Sequence, residues 1–259
     1  MPEILPYKRG PTWVLYHADA LQVLRQRRND TVDLVVADPP YFLSNGGTTC
    51  KGGRRAPVDK GVWDRSSGPA DNHSWNLDWL RQVARILKKD GTIFVSGTRH
   101  NIFSVGYALQ ELGFRLLNDI TWVKKAPPPN LSCRYFTHAT ETIIWAARCG
   151  TSKHTFNYAT MKEENGGKQM TSVWRIGRPR KAETVHGKHP CQKPLELVQR
   201  LVRAASRPGD VVLDPFCGSS TTGVAALQLG RRFVGIDKDA TWLDISALRC
   251  DNPAEEDGR

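Results

Sequence analysis

The chain has 259 residues, 37 Lys plus Arg against 26 Asp plus Glu, and a formal net charge of +11. That length buries a large core without disulfides or metals, so a stapled mini-scaffold is excluded and one elaborated domain over 1–259 is expected. With 39% apolar and 24% charged residues the chain is neither disordered nor membrane-embedded, and its positive surplus points to a polyanionic partner, nucleic acid before anionic membrane.

Met1–Pro6 lacks the apolar stretch of a signal peptide, and no window approaches the roughly 20 apolar residues of a membrane span. A cytoplasmic protein with no membrane partner is expected. The six cysteines form no CxxC pair, so reduced thiols and no metal site are expected.

Short Val- and Ile-rich runs alternate with helical patterns, the signature of a mostly parallel α/β sheet with helices on both faces. In chain order the expected strands are Trp13–Tyr16, Val32–Ala37, Thr92–Val95, Asp119–Val123, Thr142–Ala146, Val211–Leu213 and Arg232–Ile236, seven in all. A helix is predicted over Trp75–Lys88, with Leu77, Leu80, Ala84 and Leu87 at helical spacing and Gly91 as its left-handed stop. A second is predicted from about Pro194 to Pro208-Gly209, with Leu195, Val198, Leu201, Val202 and Ala205 on one face. The stretches 43–74 and 150–188 lack apolar periodicity and read as a mobile loop and as a loop or inserted lobe. Between Thr151 and Lys193 nine basic residues face three glutamates, so much of the surplus charge sits in one segment. Asp251–Arg259 reads as a frayed acidic tail.

Asp38-Pro39-Pro40-Tyr41 follows the strand Val32–Ala37 directly and so stands at the carboxyl edge of the sheet, where open α/β folds bind ligands. Two prolines remove amide donors and leave the Pro39 carbonyl and the Asp38 carboxylate as acceptors. Two acceptors suit an exocyclic amine: engaging both N–H bonds favours a pyramidal nitrogen with a free lone pair. Tyr41 offers a face for a base to stack on. A strand ending in a Pro-Pro turn with a packed tyrosine is the plainer alternative.

Downstream, Val211-Val212-Leu213-Asp214-Pro215-Phe216-Cys217-Gly218-Ser219-Ser220-Thr221-Thr222-Gly223 joins a strand to a helix through small residues that let a ligand approach the backbone. Asp237, 19 residues past Gly218 at the end of the next strand, is placed for a ribose diol. Without the other glycines of GxGxxG, a cofactor with an adenosine and an amino-acid end fits better than a dinucleotide. A buried βα turn is the alternative.

These two motifs in this order, with His17-Ala18-Asp19, His189-Pro190-Cys191-Gln192-Lys193-Pro194 and Phe233-Val234-Gly235-Ile236-Asp237, resemble the β-class amino-methyltransferases of DNA over nearly the whole chain. Phe42–Gly47, Asn130–His138 and Gly167–Met170 resemble most the small GATC-adenine methyltransferases of the DpnA-like group. The resemblance implies a Rossmann-like class I fold with a seven-stranded sheet, circularly permuted so that the catalytic half precedes the cofactor half. It implies S-adenosyl-L-methionine as cofactor and adenine N6 in double-stranded DNA, within GATC, as target. Single-stranded DNA as substrate, a homodimer and a companion restriction enzyme stay open. The implied catalytic residues are Asp38, Pro39, Pro40 and Tyr41. The implied cofactor residues are Asp19, Asp38, His189, Gln192, Lys193, Asp214, Phe216, Cys217, Gly218, Ser219 and Asp237. Cys191 and Ser220 stand where the family usually has Thr and a second loop glycine. Expected DNA contacts are Lys51, Arg54 and Arg55 in the first loop, Arg134, Lys168, and Arg175, Arg178, Arg180 and Lys181 in the basic segment. The alternatives are a DNA cytosine-N4 methyltransferase and a non-catalytic DNA-binding protein on the same scaffold. Tyr135 and Phe136 either line the base pocket or belong to the core.

Overall fold

The structure, a computed structural model, describes residues 2–51, 54–187 and 189–253. In chain order its elements are β1 (Lys8–Arg9), β2 (Trp13–His17), α1 (Ala20–Gln26), β3 (Val32–Ala37), β4 (Thr48–Lys51), β5 (Arg54–Pro57), α2 (Pro69–Ile86), β6 (Leu87–Gly97), α3 (Ile102–Glu111), β7 (Arg115–Lys124), β8 (Thr140–Ala147), α4 (Tyr158–Glu164), β9 (Val173–Ile176), α5 (Leu195–Ala205), β10 (Val211–Asp214), α6 (Thr221–Gln228), β11 (Arg232–Asp237) and α7 (Ala240–Asp251). Nine strands form one sheet in the order β1-β2-β11-β10-β3-β6-β8-β7-β9. Only β1 and β8 run against the others. Strands β4 and β5 make a separate hairpin.

Strand alternation sends Leu34 and Val36 of β3 to one face and Val35 and Ala37 to the other. The first face is covered by α5, α6 and α7 through Leu201, Val224 and Leu243; the second by α1, α2 and α3 through Leu24, Trp79 and Val105. Such double burial explains the near-continuous apolar runs of the central strands. Strands β10 and β3 are neighbours, yet α6 after β10 and α2 after β3 pack on opposite faces. That reversal opens a crevice at the carboxyl ends of the parallel strands. The chain's last strand returns to its first, pairing Phe233 with Trp13 and Asp237 with His17.

All seven expected strands lie in the sheet, which β1 and β9 extend at its two edges. Several local expectations are corrected. The helix expected over Trp75–Lys88 starts earlier, with Pro69 in its first turn, and stops at Ile86, where the chain passes straight into β6. Gly91 is therefore a strand residue and no helix stop: a Cβ there would lie 3.0 Å from the Asp33 carbonyl, so close packing demands the glycine. The stretch 43–74 holds the β4–β5 hairpin, a 3-10 turn over Val62–Asp64 and the start of α2. Within the stretch 150–188, β9 pairs with β7 and buries Trp174 and Ile176. Tyr135 and Phe136 belong neither to the core nor to the cleft, being 57% and 95% exposed. Asp251 ends α7, and the rest of the expected tail from residue 254, like Lys188, lies outside the described residues. Among the described residues no helix is long and apolar enough to cross a membrane.

Candidate active site

A cleft of about 1250 Å³ opens at the crevice and is lined by every catalytic and cofactor residue expected above. Of the nine basic residues expected at DNA, Arg178 alone lines it. Arg54 and Arg55 project from the hairpin, and Arg134, Lys168, Arg175 and Lys181 are exposed elsewhere; Lys51 closes β4. Arg180 is exposed yet tied to Glu183: its backbone amide and its guanidinium both donate to that carboxylate, at 3.0 and 3.1 Å. Buried Glu183 also accepts the Leu195 amide at 2.9 Å, capping α5.

Asp38 leaves the end of β3 with both oxygens engaged. Its Oδ1 accepts the Tyr41 hydroxyl at 2.6 Å and its Oδ2 accepts Lys193 Nζ at 2.6 Å. Lys193 also donates to the Tyr41 hydroxyl at 3.1 Å and lies 3.5 Å from Glu141, while Glu141 pairs with Lys124 at 2.6 Å. Two carboxylates and two ammoniums thus alternate through the floor of the site, with the buried Tyr41 among them. Burial alone would raise the Glu141 carboxyl, but Lys193 and Lys124 outweigh it and hold the group at about 2. Burial likewise opposes charge on Lys193, yet Asp38 and Glu141 push its ammonium above the ordinary lysine value. Lys193, expected at the cofactor and counted in the basic segment, here anchors Asp38. Sequence reading missed Glu141 and Lys124: neither stands in a motif, and Glu141 reaches Tyr41 across 100 residues. Tyr41 is only 6% exposed, with the Lys60 and Lys193 ammoniums 5.5 and 5.2 Å from its ring centre.

The small-residue loop after β10 is built on carboxylates. Asp214 accepts the Phe216 amide at 3.0 Å and the Thr222 hydroxyl at 2.6 Å, drawing both ends of the loop together. Asp237 accepts the Gly218 amide at 2.8 Å and the Asp239 amide at 2.9 Å. Gly218 has φ 49°, and a Cβ there would stand 3.2 Å from the His189 ring. Ser220 has φ 57° although it bears a Cβ, which gives a physical reason for glycine at this place in the family. His189 sits edge-on to Trp242 and accepts the Cys191 amide through Nδ1 at 3.3 Å; burial lowers its pKa to about 4, so the ring is neutral. Asp19 caps α1 and pairs with Lys238 at 2.7 Å. Burial pushes the Cys217 thiol well above its ordinary value. Phe216 packs on Trp75 and Trp79.

Burial also raises Asp214 to about 7, against the lowering effect of its two hydrogen bonds. A carboxyl raised above its unfolded value costs stability above its folded pKa, and that cost vanishes as pH falls toward the unfolded one. Asp214→Asn is therefore expected to raise Tm at pH 8, to raise it less at pH 5 and to give no gain below about pH 3.8, as read by calorimetry across that range.

The N6_N4_Mtase family profile, described as DNA methylase, matches residues 32–248. The chain is 48% identical over 247 residues to the type II methyltransferase M2.DpnII of Streptococcus pneumoniae, covering 95% of this chain and 92% of the relative. It is 48% identical over 250 residues to M2.LlaDCHI of Lactococcus lactis, covering 96% and 93%. Among solved structures it superposes on the M1.HpyAVI-SAM complex with TM-score 0.69 and 27% identity, over 92% of this chain and 98% of that one. The cytosine-N4-specific PvuII DNA methyltransferase superposes with TM-score 0.75 at 20% identity, over 94% and 88%, a likeness of fold alone. With a profile match across most of its length and relatives this similar from end to end, the chain belongs to the DNA methylase family.

Proposed function

We propose that this DNA methyltransferase transfers a methyl group from S-adenosylmethionine to the N6 amine of adenine in duplex DNA, within GATC, in the cytoplasm. The observation that carries the reading is the acceptor pair at the end of β3. Asp38 is fixed by Lys193 and Tyr41, each of its oxygens keeps a lone-pair direction to spare, and the Pro39 carbonyl stands beside it in a backbone with no proline amide to compete. Adenine is favoured over cytosine N4 because Asp opens the tetrapeptide, where the cytosine-N4 enzymes of the resembled class usually carry Ser. GATC rests on the likeness of Phe42–Gly47, Asn130–His138 and Gly167–Met170 to the GATC-adenine group.

The donor set suits the cofactor. Asp19, Asp214 and Asp237 give the cleft an acidic lining that favours a cationic amino-acid end and ribose hydroxyls, and Phe216 with Trp75 gives an apolar face for its base. At about 1250 Å³ the cleft exceeds an ordinary small-ligand pocket and has room for an extruded base as well. When bound, S-adenosylmethionine supplies an electrophilic methyl group. The chain's own residues orient the acceptor: Asp38 and the Pro39 carbonyl engage the two N–H bonds, leaving the nitrogen lone pair free. Their partial negative charge also faces the positive charge that develops on nitrogen. Lys193 and Tyr41 hold Asp38 in place, and Glu141 holds Lys193. Stacking of the base on Tyr41 requires the Lys60 side chain to move from over the ring.

Incubating duplex DNA with methyl-labelled cofactor and separating the nucleosides tests this: label is expected in N6-methyladenine, and label in N4-methylcytosine overturns the adenine assignment. Duplex binding is expected to weaken steeply with salt, with a log–log slope near −0.9 for each phosphate neutralised. Arg175→Gln, Arg178→Gln and Lys181→Gln together are expected to flatten it. Arg180→Gln, at an exposed guanidinium that also pairs with Glu183, is expected to flatten it further. Titrations at three or more salt concentrations check both.

A further inference from the structure

Pro39 and Pro40 carry no amide hydrogen, so the first backbone donor able to anchor the catalytic turn belongs to Tyr41. It is gripped from 23 residues away: Asp64 Oδ1 accepts the Tyr41 amide at 3.0 Å. Asp64 Oδ2 accepts the Leu43 amide at 3.2 Å and the Ser44 hydroxyl at 2.9 Å. Its carbonyl accepts the Ser44 amide at 3.1 Å, and the residue is completely buried. Between the two gripped amides stands Phe42 at φ 58°, a left-handed conformation that an aromatic side chain does not adopt unaided. One carboxylate thus spans the amides on either side of the strained residue. On the other flank, Asn101 Nδ2 donates to the Pro40 carbonyl at 3.3 Å. The same segment closes the base of the basic hairpin, since the Lys60 amide donates to Ser44 Oγ at 2.8 Å and the Val58 amide to the Gly47 carbonyl at 2.8 Å.

We propose that Asp64 is a positioning residue for methyl transfer. By gripping the first amides after the two prolines it holds the strained turn at Phe42, and with it the Pro39 carbonyl and Tyr41, in the arrangement that receives the exocyclic amine; the proposal rests on the function given above. Because Asp64 and Ser44 also close the hairpin, the turn and the arm bearing Arg54 and Arg55 form one unit.

Asp64→Asn keeps the volume and one acceptor oxygen. Its single-turnover methyl transfer is expected to fall about tenfold to a hundredfold, while Kd for S-adenosylmethionine and for duplex DNA stays within about threefold. Glycine enters the left-handed region freely, so in a Phe42→Gly background the same substitution is expected to cost no more than about threefold. An unchanged transfer rate, a loss lying wholly in affinity, or an equal cost in both backgrounds overturns the proposal. Thermal melts accompany each variant; should Asp64→Asn not fold, Ser44→Ala, which removes one of the three bonds, is expected to lower the rate in the same direction, and a wild-type rate there overturns the proposal. Wild type run in the same assay separates the two readings: no transfer to adenine by wild type sinks the function, whereas an active wild type with an equally active Asp64→Asn sinks only the positioning role.

Discussion

Asp38→Asn is expected to slow methyl transfer by about 100-fold or more at saturating DNA and cofactor while the protein stays folded. In the wild type each carboxylate oxygen already accepts one hydrogen bond, from Tyr41 and from Lys193, and has one direction left for the amine. An amide keeps a single acceptor atom, which Lys193 claims, and turns an N–H₂ toward Tyr41 and the base. The tyrosine hydroxyl can rotate to accept it, but the exocyclic amine cannot, so donor meets donor where charge develops. Because the contact matters most in the transition state, the loss is expected in kcat more than in KM. Single-turnover rates on duplex DNA read it; a rate within a few-fold of wild type would show that Asp38 does not hold the amine.

Glu141→Gln is expected to have the largest effect on stability, lowering it by about 3–5 kcal/mol and Tm by roughly 6–20 °C near neutral pH. Among the described residues Glu141 is the only carboxylate shared by Lys193 and Lys124, and replacing it leaves two partly buried ammoniums short of a counter-charge. A carboxyl held at about 2 in the folded chain, below its ordinary value, contributes stability that is complete above the unfolded value of about 4.5 and drains away as pH falls from about 5 toward 2. Wild-type Tm is therefore expected to fall through that window faster than that of Glu141→Gln, so that the two curves converge. Parallel curves from pH 7 to pH 3 would contradict the assignment. Lys193 then keeps Asp38 as its one carboxylate, and a slower methyl transfer is expected beside the lower Tm.

Much of the fold was legible because the central strands are buried on both faces and write themselves as unbroken Val, Ile and Leu runs. What escaped was short or half-exposed. Strand β9 buries only Trp174 and Ile176 on alternate positions, and four residues carry too little periodicity to stand out from the polar segment around them. Gly91 looked like a helix stop because glycine serves both left-handed turns and close approaches, and only the nearby Asp33 carbonyl decides between them. The site was legible where its residues are contiguous: Asp38–Tyr41, the loop after β10 and Asp237 all reach the cleft. The residues that support them were not, because Glu141 and Asp64 act by tertiary contact from 100 and 23 residues away in the chain. Charge was legible in sum and misleading in place. Lys193, counted toward a DNA-facing segment, turns inward to Asp38.

The central claim is that Asp38 and the Pro39 carbonyl present an exocyclic amine of adenine for methylation. It is tested most directly with two GATC duplexes that differ only at the site's two adenines, one per strand of the palindrome: one duplex carries adenine at both, the other purine, which lacks the amine, at both. With methyl-labelled S-adenosylmethionine, wild-type protein is expected to label the adenine duplex as N6-methyladenine and to leave the purine duplex unlabelled; label in the purine duplex, or in the cytosines of both, would contradict the claim.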